Sequence, residues 1–377
     1  MAVTRNRLIV WKINQIYSDV IAFVVSWVYV RMYKNLLKTN DFRNKKCPGE
    51  NDYINKWKSL GKVNPIYYRL YSHYVGNDPN IVPENILHNL IEPVLTPPVY
   101  RHFLSDKNLF DRLFPEGVMP KTLLRCMGGF YYDKDYNPVK GNHVLANILS
   151  DKIVVKPTID TSGGMGVTIF VKQDNNYHEL NDYEFVLTED WLRCEYQGNF
   201  IIQECIEQSE KIAIFNPSSV NTIRIGVYRS VKNDEYIILD SLLRVGKSGC
   251  YVDNAHSGGV AIGIEKSGKL KHRAITREDT ILSNINGVDL SKDFFIPNYD
   301  KVINFAKFVC KQIPYLRLLT LDIMLDKSDN PHLIEFNCTS YSEDIFQPNA
   351  TLFREYTDEI IDYVCKHKNE RCRIFVK

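Results

Sequence analysis

The sequence predicts an α+β fold, with two lobes following a mainly helical N-terminal region. Residues 1–95 are helical in texture, broken at Cys47-Pro48-Gly49 and Asn77-Asp78-Pro79. From Asp151 onward short apolar runs alternate with turns. Helical patterns are interspersed among those runs, which suits antiparallel sheets with helices packed against them.

The N-terminal element comes first. Residues 8–33, LIVWKINQIYSDVIAFVVSWVYVRMY, are apolar but carry Lys12, Asn14, Gln15 and Asp19. The uninterrupted part, Val20–Val30, is about half of the ~20 residues that span a bilayer. No small-residue cleavage site follows, so a signal peptide fits poorly. Burial against the body of the protein is the favoured reading. The other, a helix lying on a membrane surface with Arg31 and Lys34 toward headgroups, stays open. In Tyr67-Tyr68-Arg69-Leu70-Tyr71 the aromatic rings are expected to pack, with stacking on a sugar as the other reading. Residues 93–98, PVLTPP, read as a linker.

A short helical pattern, Leu104–Phe114, precedes the strand-like MPKTLLRCMGGFYYD, and a further helix is expected over Asn142–Ser150. Strands follow in DKIVVKP, MGVTIFV, FIIQECI, VNTIRIGVYRS, EYIILDSLLRV and GGVAIGIE. A helix over Tyr299–Gln312, a hairpin over 319–337 and a last helix near Arg354–Lys366 complete the chain. With 377 residues there is length for two or three domains.

Composition excludes several classes. A hydrophobic content of 44% and a charged content of 24% are those of a folded, water-exposed protein. The net charge of +2 makes no case for nucleic acid. Nine cysteines without a C-x-x-C pair and nine histidines without H-x-x-H argue against structural zinc or a disulfide framework. A reducing, cytoplasmic setting is the expectation.

The hairpin LTLDIMLDKSDNPHLIEFN carries the first chemical signal. With a turn centred between Ser328 and Asp329, Asp322 falls opposite Glu335 and Thr320 opposite Asn337. Opposite residues share a sheet face, so Asp322, Glu335 and Asn337 converge. Two facing carboxylates repel unless a cation sits between them, and oxygen-only ligands point to Mg²⁺. An ordinary hairpin with one solvated face is the competing reading.

The second signal is DKIVVKPTIDTSGGMGVTIFV. Lys156 ends a strand, Ser162-Gly163-Gly164-Met165-Gly166 turns the chain, and another strand follows. Glycines let backbone N–H groups approach anionic oxygens. Neither a P-loop nor a dinucleotide fingerprint is present, because the loop joins strand to strand with no helix behind it. A plain turn is the alternative. Asp106-Lys107 upstream and the oxygen-rich hairpin downstream favour phosphate.

In this order the pieces resemble the ATP-grasp superfamily over roughly residues 104–345. The resemblance implies an ATP-grasp fold, with two α+β lobes clasping ATP and Mg²⁺. It divides the chain into residues 1–103, a small lobe over 104–200 and a large lobe with the metal site over 201–377. It makes Lys107 and Lys156 phosphate ligands, Ser162, Gly163, Gly164 and Gly166 the mobile glycine loop, and Asp322, Glu335 and Asn337 the metal ligands. Glu204, Cys205 and Ile206 would hold adenine, the last two through backbone groups. Val220-Asn221-Thr222-Ile223-Arg224 and Ser257-Gly258-Gly259-Val260 look like the branch associated with sugar transfer and surface-polysaccharide synthesis. Thr320 stands where several carboxylate ligases of this superfamily carry an arginine. Arg224 and Arg244 are the replacement candidates, each with a salt bridge inside the sheet as the alternative. His256 could bind substrate or deprotonate an amine, or be a plain loop residue.

The expected activity is an ATP-dependent carboxylate–amine ligase acting through an acyl phosphate on a sugar or surface-polysaccharide precursor. A sugar-hydroxyl kinase and a non-catalytic nucleotide-binding partner in glycan assembly are the alternatives. The expected partners are a small-molecule or glycan carboxylate and an amine. A homo-oligomer is left open.

Overall fold

The computed structural model describes residues 5–38, 45–140, 144–159, 164–249, 258–276, 280–338 and 341–368. Fourteen of its strands form two antiparallel seven-stranded sheets, and a helical N-terminal region precedes them.

Arg5–Lys38 is one helix of 34 residues. Its C-terminal part docks: Tyr33 is buried with its hydroxyl 2.6 Å from that of Tyr71, and Ser26 accepts a bond from Asn89. Ile13, Ile16, Tyr17, Val20, Phe23, Val24, Trp27 and Val28 are exposed, which corrects the expectation that the helix is buried. Its apolar positions spread over more of its circumference and length than one packing face can cover. No helix among the described residues is long and apolar enough to cross a membrane. Tyr67, Tyr68 and Tyr71 are core residues of the following helices.

Residues 93–98 do not behave as a free linker. Leu95 O accepts from Arg317 N at 2.9 Å, and the Thr96 hydroxyl donates to Leu318 O at 2.5 Å. The segment is thus pinned to the start of a large-lobe strand.

The first sheet runs β2-β1-β7-β3-β4-β5-β6. Its strands are β1 (Thr122–Met127), β2 (Phe130–Tyr132), β3 (Lys152–Pro157), β4 (Thr168–Gln173), β5 (Asn176–Glu179), β6 (Asp182–Val186) and β7 (Phe200–Glu204). β7 lies between β1 and β3, so Phe200–Glu204 belongs to the first sheet. Between residues 144 and 150 there is only a 3₁₀ turn, Val144–Asn147, where a longer helix was expected.

The second sheet runs β12-β11-β10-β9-β8-β15-β16. It comprises β8 (Thr222–Arg229), β9 (Tyr236–Val245), β10 (Val260–Ile264), β11 (Leu270–Thr276), β12 (Ile281–Leu282), β15 (Leu318–Leu325) and β16 (Pro331–Asn337); β13 (Asn284–Ile285) and β14 (Val288–Asp289) pair separately. Both of its faces are covered. On one, Val302, Ala306 and Val309 of the helix Tyr299–Lys311 and Phe110 and Phe114 pack on Leu319, Leu321 and Ile323. On the other, the N-terminal helices and Thr357–His367 pack on Leu242 and Leu318. Double coverage explains why β15 reads almost wholly apolar, and it is buried at every position. β15 therefore has no solvated face, whereas the edge strand β16 is buried and partly exposed by turns, and Asp322 in the middle of β15 must have a partner.

Candidate functional site

The hairpin β15–β16 positions the acidic residues. Asp322 pairs with Glu335 and Thr320 with Asn337, as the sequence predicts. Nearer the turn the register differs by one residue: Leu325 pairs with Pro331, so the connection is centred on Ser328. A bulge between the Asp322 and Ile323 pairs leaves Ile334 over and restores the predicted pairing at the site.

β8 is the other neighbour of β15, and Arg224 lies directly opposite Asp322. Its guanidinium forms a fork, Nε to Oδ1 at 2.8 Å and Nη2 to Oδ2 at 2.6 Å, while Nη1 donates to the Ser342 hydroxyl at 2.9 Å. Arg244 on β9 reaches Oδ2 at 3.4 Å, and the Asn337 amide donates to the same oxygen at 3.4 Å. Burial pushes the Asp322 carboxyl up, but Arg224 and Arg244 outweigh it and hold the group below its ordinary value. The in-sheet salt bridge and the site reading of these arginines are thus one arrangement, since their partner is the predicted metal ligand.

Glu335 has a different cation. Lys107 Nζ lies 3.1 Å from its Oε1, and the Glu335 side chain remains 30% exposed. Lys107 sits on a 3₁₀ turn, Lys107–Leu109, that Asp106 caps by accepting from Asn108 N. That turn is stitched to the first sheet: Lys107 N donates to Thr158 O at 3.0 Å, and Asn108 Nδ2 to Cys126 O at 3.1 Å. Lys107 therefore bridges the lobes. The repulsion expected between facing carboxylates is removed by protein cations, arginines for Asp322 and a lysine for Glu335.

Lys156, at the end of β3, is buried and donates to Gln203 Oε1 at 3.1 Å. Burial, then the neighbouring Lys107, pulls its ammonium down to about 8, against the opposing pull of Glu335. Gly164 and Gly166 adopt left-handed backbone with φ of 72° and 73°. A Cβ on Gly166 would come within 3.2 Å of Pro157 Cγ, so a side chain there is disfavoured twice. Ser162, Gly163 and His256 lie outside the described residues.

Glu204 ends β7, and its carboxylate accepts from Lys121 N at 3.1 Å. Cys205 N donates to Lys152 O, so that amide is engaged in the sheet. Ile206 follows in the segment to the second lobe, where Gln208 bridges to Asp326. Glu204 pairs near Ile153 while Ile201 pairs with Lys156, which places Glu204 about 10 Å along β3 from the lysine.

The structure thus brings together Lys107, Lys156, Arg224, Arg244, Asp322, Glu335 and Asn337. Sequence reasoning missed Gln203 and Ser342. Gln203 sits beside the singled-out Glu204, whereas Ser342 carries no local signal.

The donor set suits a hard divalent ion. Glu335 is partly open and already has a cation against its carboxylate; Asn337 can turn either end of its carboxamide inward. Asp322 Oδ2 is fully subscribed, but Oδ1 takes only the Arg224 Nε bond among those described and keeps a lone pair.

A family model described as sugar-transfer associated ATP-grasp matches residues 89–357. No curated protein sequence matches the chain. Among solved structures, a D-alanine–D-alanine ligase from Bacillus anthracis aligns at 14% identity and TM-score 0.39, covering 71% of this chain and 69% of that one. D-cycloserine synthetase DcsG aligns at 13% identity and TM-score 0.38, covering 72% and 73%. The ATP-grasp ligase PsnB, solved with a precursor peptide and AMPPNP, aligns at 12% identity and TM-score 0.39, covering 72% and 62%.

Proposed function

Because the chain belongs to the sugar-transfer associated ATP-grasp family, we propose that it is an ATP-dependent ligase joining a carboxylate to an amine. In this reading the carboxylate is activated as an acyl phosphate and belongs to a sugar or surface-polysaccharide precursor. The observation that carries the reading is the Lys107–Glu335 ion pair between lobes, flanked by buried Lys156 on one side and the Arg224–Asp322–Arg244 cluster on the other.

Adenine rests near Glu204, Cys205 and Ile206, and the phosphates extend along β3 to Lys156. A separation of about 10 Å suits a nucleoside between the two ends. Lys107 exchanges its carboxylate partner for phosphate, which frees Glu335. Glu335, Asn337 and Asp322 Oδ1 would hold Mg²⁺, which when bound neutralises charge on the phosphate tail. Arg224, fixed by Asp322 and Ser342, and Arg244 present positive charge where the acyl phosphate forms, in place of the arginine missing at Thr320. Gly164 and Gly166 leave room for backbone close to the phosphates. Positioning and charge do the work, and no nucleophilic side chain is required.

The pH dependence follows from Lys156. Only its protonated form attracts phosphate, so ATP affinity of the free protein is expected to fall as pH rises through about 8. Calorimetric titration from pH 7 to 10 measures this, and Lys156→Arg, which stays charged, should flatten the profile. An unchanged wild-type affinity across that range removes Lys156 from the phosphate site.

The test of the reaction is an ATP-consumption screen pairing uronic-acid carboxylates with amino-acid or amino-sugar amines, with products identified by mass. Phosphate release together with an amide supports the ligase. A stable phosphorylated sugar supports a kinase instead, and no turnover supports a binding role.

We further propose that the exposed apolar side of Arg5–Lys38, with Lys12, Arg31 and Lys34 also exposed, lies on an anionic bilayer surface. Anionic vesicles should sediment the protein, and Phe23→Glu with Trp27→Glu should abolish this. Sedimentation as a dimer with no vesicle binding would assign the helix to self-association.

A further inference from the structure

A buried cluster outside the candidate nucleotide site involves Glu84, His88, Glu92 and Glu343, which are 1, 11, 5 and 4% exposed, the histidine measured on its side chain. The first three follow an E-x₃-H-x₃-E pattern along a helical segment interrupted by a π-helical turn, Leu87–Ile91. Residues four apart share a helix face, and π-turns recur at functional sites. Glu343 comes from the short helix Glu343–Phe346. We propose that Glu84, His88 and Glu343 form a second divalent-cation site, suited to a first-row transition ion such as Zn²⁺, that ties the N-terminal region to the segment holding Arg224.

Two independent observations support it. One ligand atom from each of the three residues lies within 4.8 Å of the other two. Around a tetrahedral ion with bonds of about 2.0–2.2 Å such atoms stand roughly 3.4 Å apart, so the pocket has room and needs only a short inward adjustment. Secondly, Glu84 Oε2 is buried with no partner in hydrogen-bond geometry, although Tyr33 and Glu343 interact with the same carboxyl, and a native interior rarely leaves such an atom unexplained.

Glu343 and Glu92 hold the His88 imidazole up at about 12 against the effect of burial, so an ion would take the place of the Nε2 proton that faces Glu343. His88 directs Nε2 at Glu343 Oε1, 3.1 Å away, and Nδ1 at Glu92 Oε2, 2.7 Å away. Glu92 is itself fixed, because its Oε1 accepts from Tyr341 N at 2.6 Å. A carboxylate on the far nitrogen sets the tautomer of a ligating imidazole. Tyr29 stacks on the ring at 5.4 Å and limits its rotation. Imidazole with two carboxylates favours Zn²⁺, Mn²⁺ or Fe²⁺ over Mg²⁺. Ser342, bonded to Arg224, directly precedes Glu343, so an ion here would brace the arginine's anchor.

Protons could balance the same charge: burial and Glu343 push the Glu84 carboxyl well above its usual range. The experiment must separate the two. The full chain, stripped with EDTA and without nucleotide, is titrated with Zn²⁺ and followed by metal analysis after desalting and by melting temperature. One tightly held Zn²⁺ per chain and a raised melting temperature are expected. Glu84→Gln and Glu92→Gln, both near-isosteric, should weaken Zn²⁺ by about ten- to a hundred-fold or more. Glu335→Gln should leave it unchanged, which separates this site from the nucleotide cleft. Absence of stoichiometric Zn²⁺, or wild-type Zn²⁺ affinity in a folded Glu84→Gln variant, overturns the proposal.

Discussion

Glu335→Gln is expected to lower ATP turnover by about 10²–10³-fold, the order lost when a preorganised electrostatic contact to a reacting group is removed. Stability should barely change. The side chain is 30% exposed and its ion pair with Lys107 has a partly solvated partner, so the pair contributes at most about 1 kcal/mol. Glutamine keeps the shape, leaves β16 in register and loses only the charge. Steady-state ATP hydrolysis or ligation, together with thermal unfolding, checks both halves. Wild-type turnover in this variant would remove Glu335 from the site.

Asp322→Asn, one strand away and directly opposite, should behave differently. Here the carboxylate is the counter-charge of the buried Arg244 and the largely buried Arg224, with Arg224 forked onto it and Arg244 on Oδ2. Removing its charge takes away the carboxylate that both guanidiniums face, and breaking a buried pair costs about 3–5 kcal/mol. Loss of turnover should therefore come with a large fall in urea stability. A change within about 0.5 kcal/mol would show that the fork contributes nothing to the fold.

The same pair fixes the sign of an acid effect. The folded Asp322 carboxyl is held below its ordinary value, so its stabilisation is complete above that value and is lost as pH falls through the lower, folded one. Wild type should lose stability in that acidic window, and Asp322→Asn should lack this component.

What was legible in the sequence was what depends on neighbours along the chain. The hairpin register at Asp322 and Glu335 could be numbered from its turn, although the structure reaches the same pairing through a longer turn and a bulge at Ile334. Lys156 could be placed at a strand end before a glycine turn. The cations facing the two acids were not legible as partners. Arg224 meets Asp322 only because β8 lies beside β15, 98 residues on, and Lys107 reaches Glu335 only because its turn is fastened to the first sheet. The histidine–carboxylate cluster was missed for the same reason: Glu343 closes on His88 across 255 residues, and the E-x₃-H-x₃-E spacing points to the face but not to what covers it. The exposure of the N-terminal helix was not legible either, because apolar content alone does not reveal how much neighbouring surface exists to cover it.

The proposed function requires Glu335 and Asn337, with Asp322, to meet a divalent ion at the phosphates of a nucleotide held by Lys156. Anomalous diffraction from crystals grown with Mn²⁺ and a non-hydrolysable ATP analogue tests it most directly. A manganese peak about 2.1 Å from oxygens of Glu335 and Asn337 and from a phosphate oxygen, with Lys107 swung onto the nucleotide, is the predicted result. Phosphates bound elsewhere, or a nucleotide seated while Glu335 stays paired to Lys107 and no manganese lies beside it, would remove these residues from the nucleotide site.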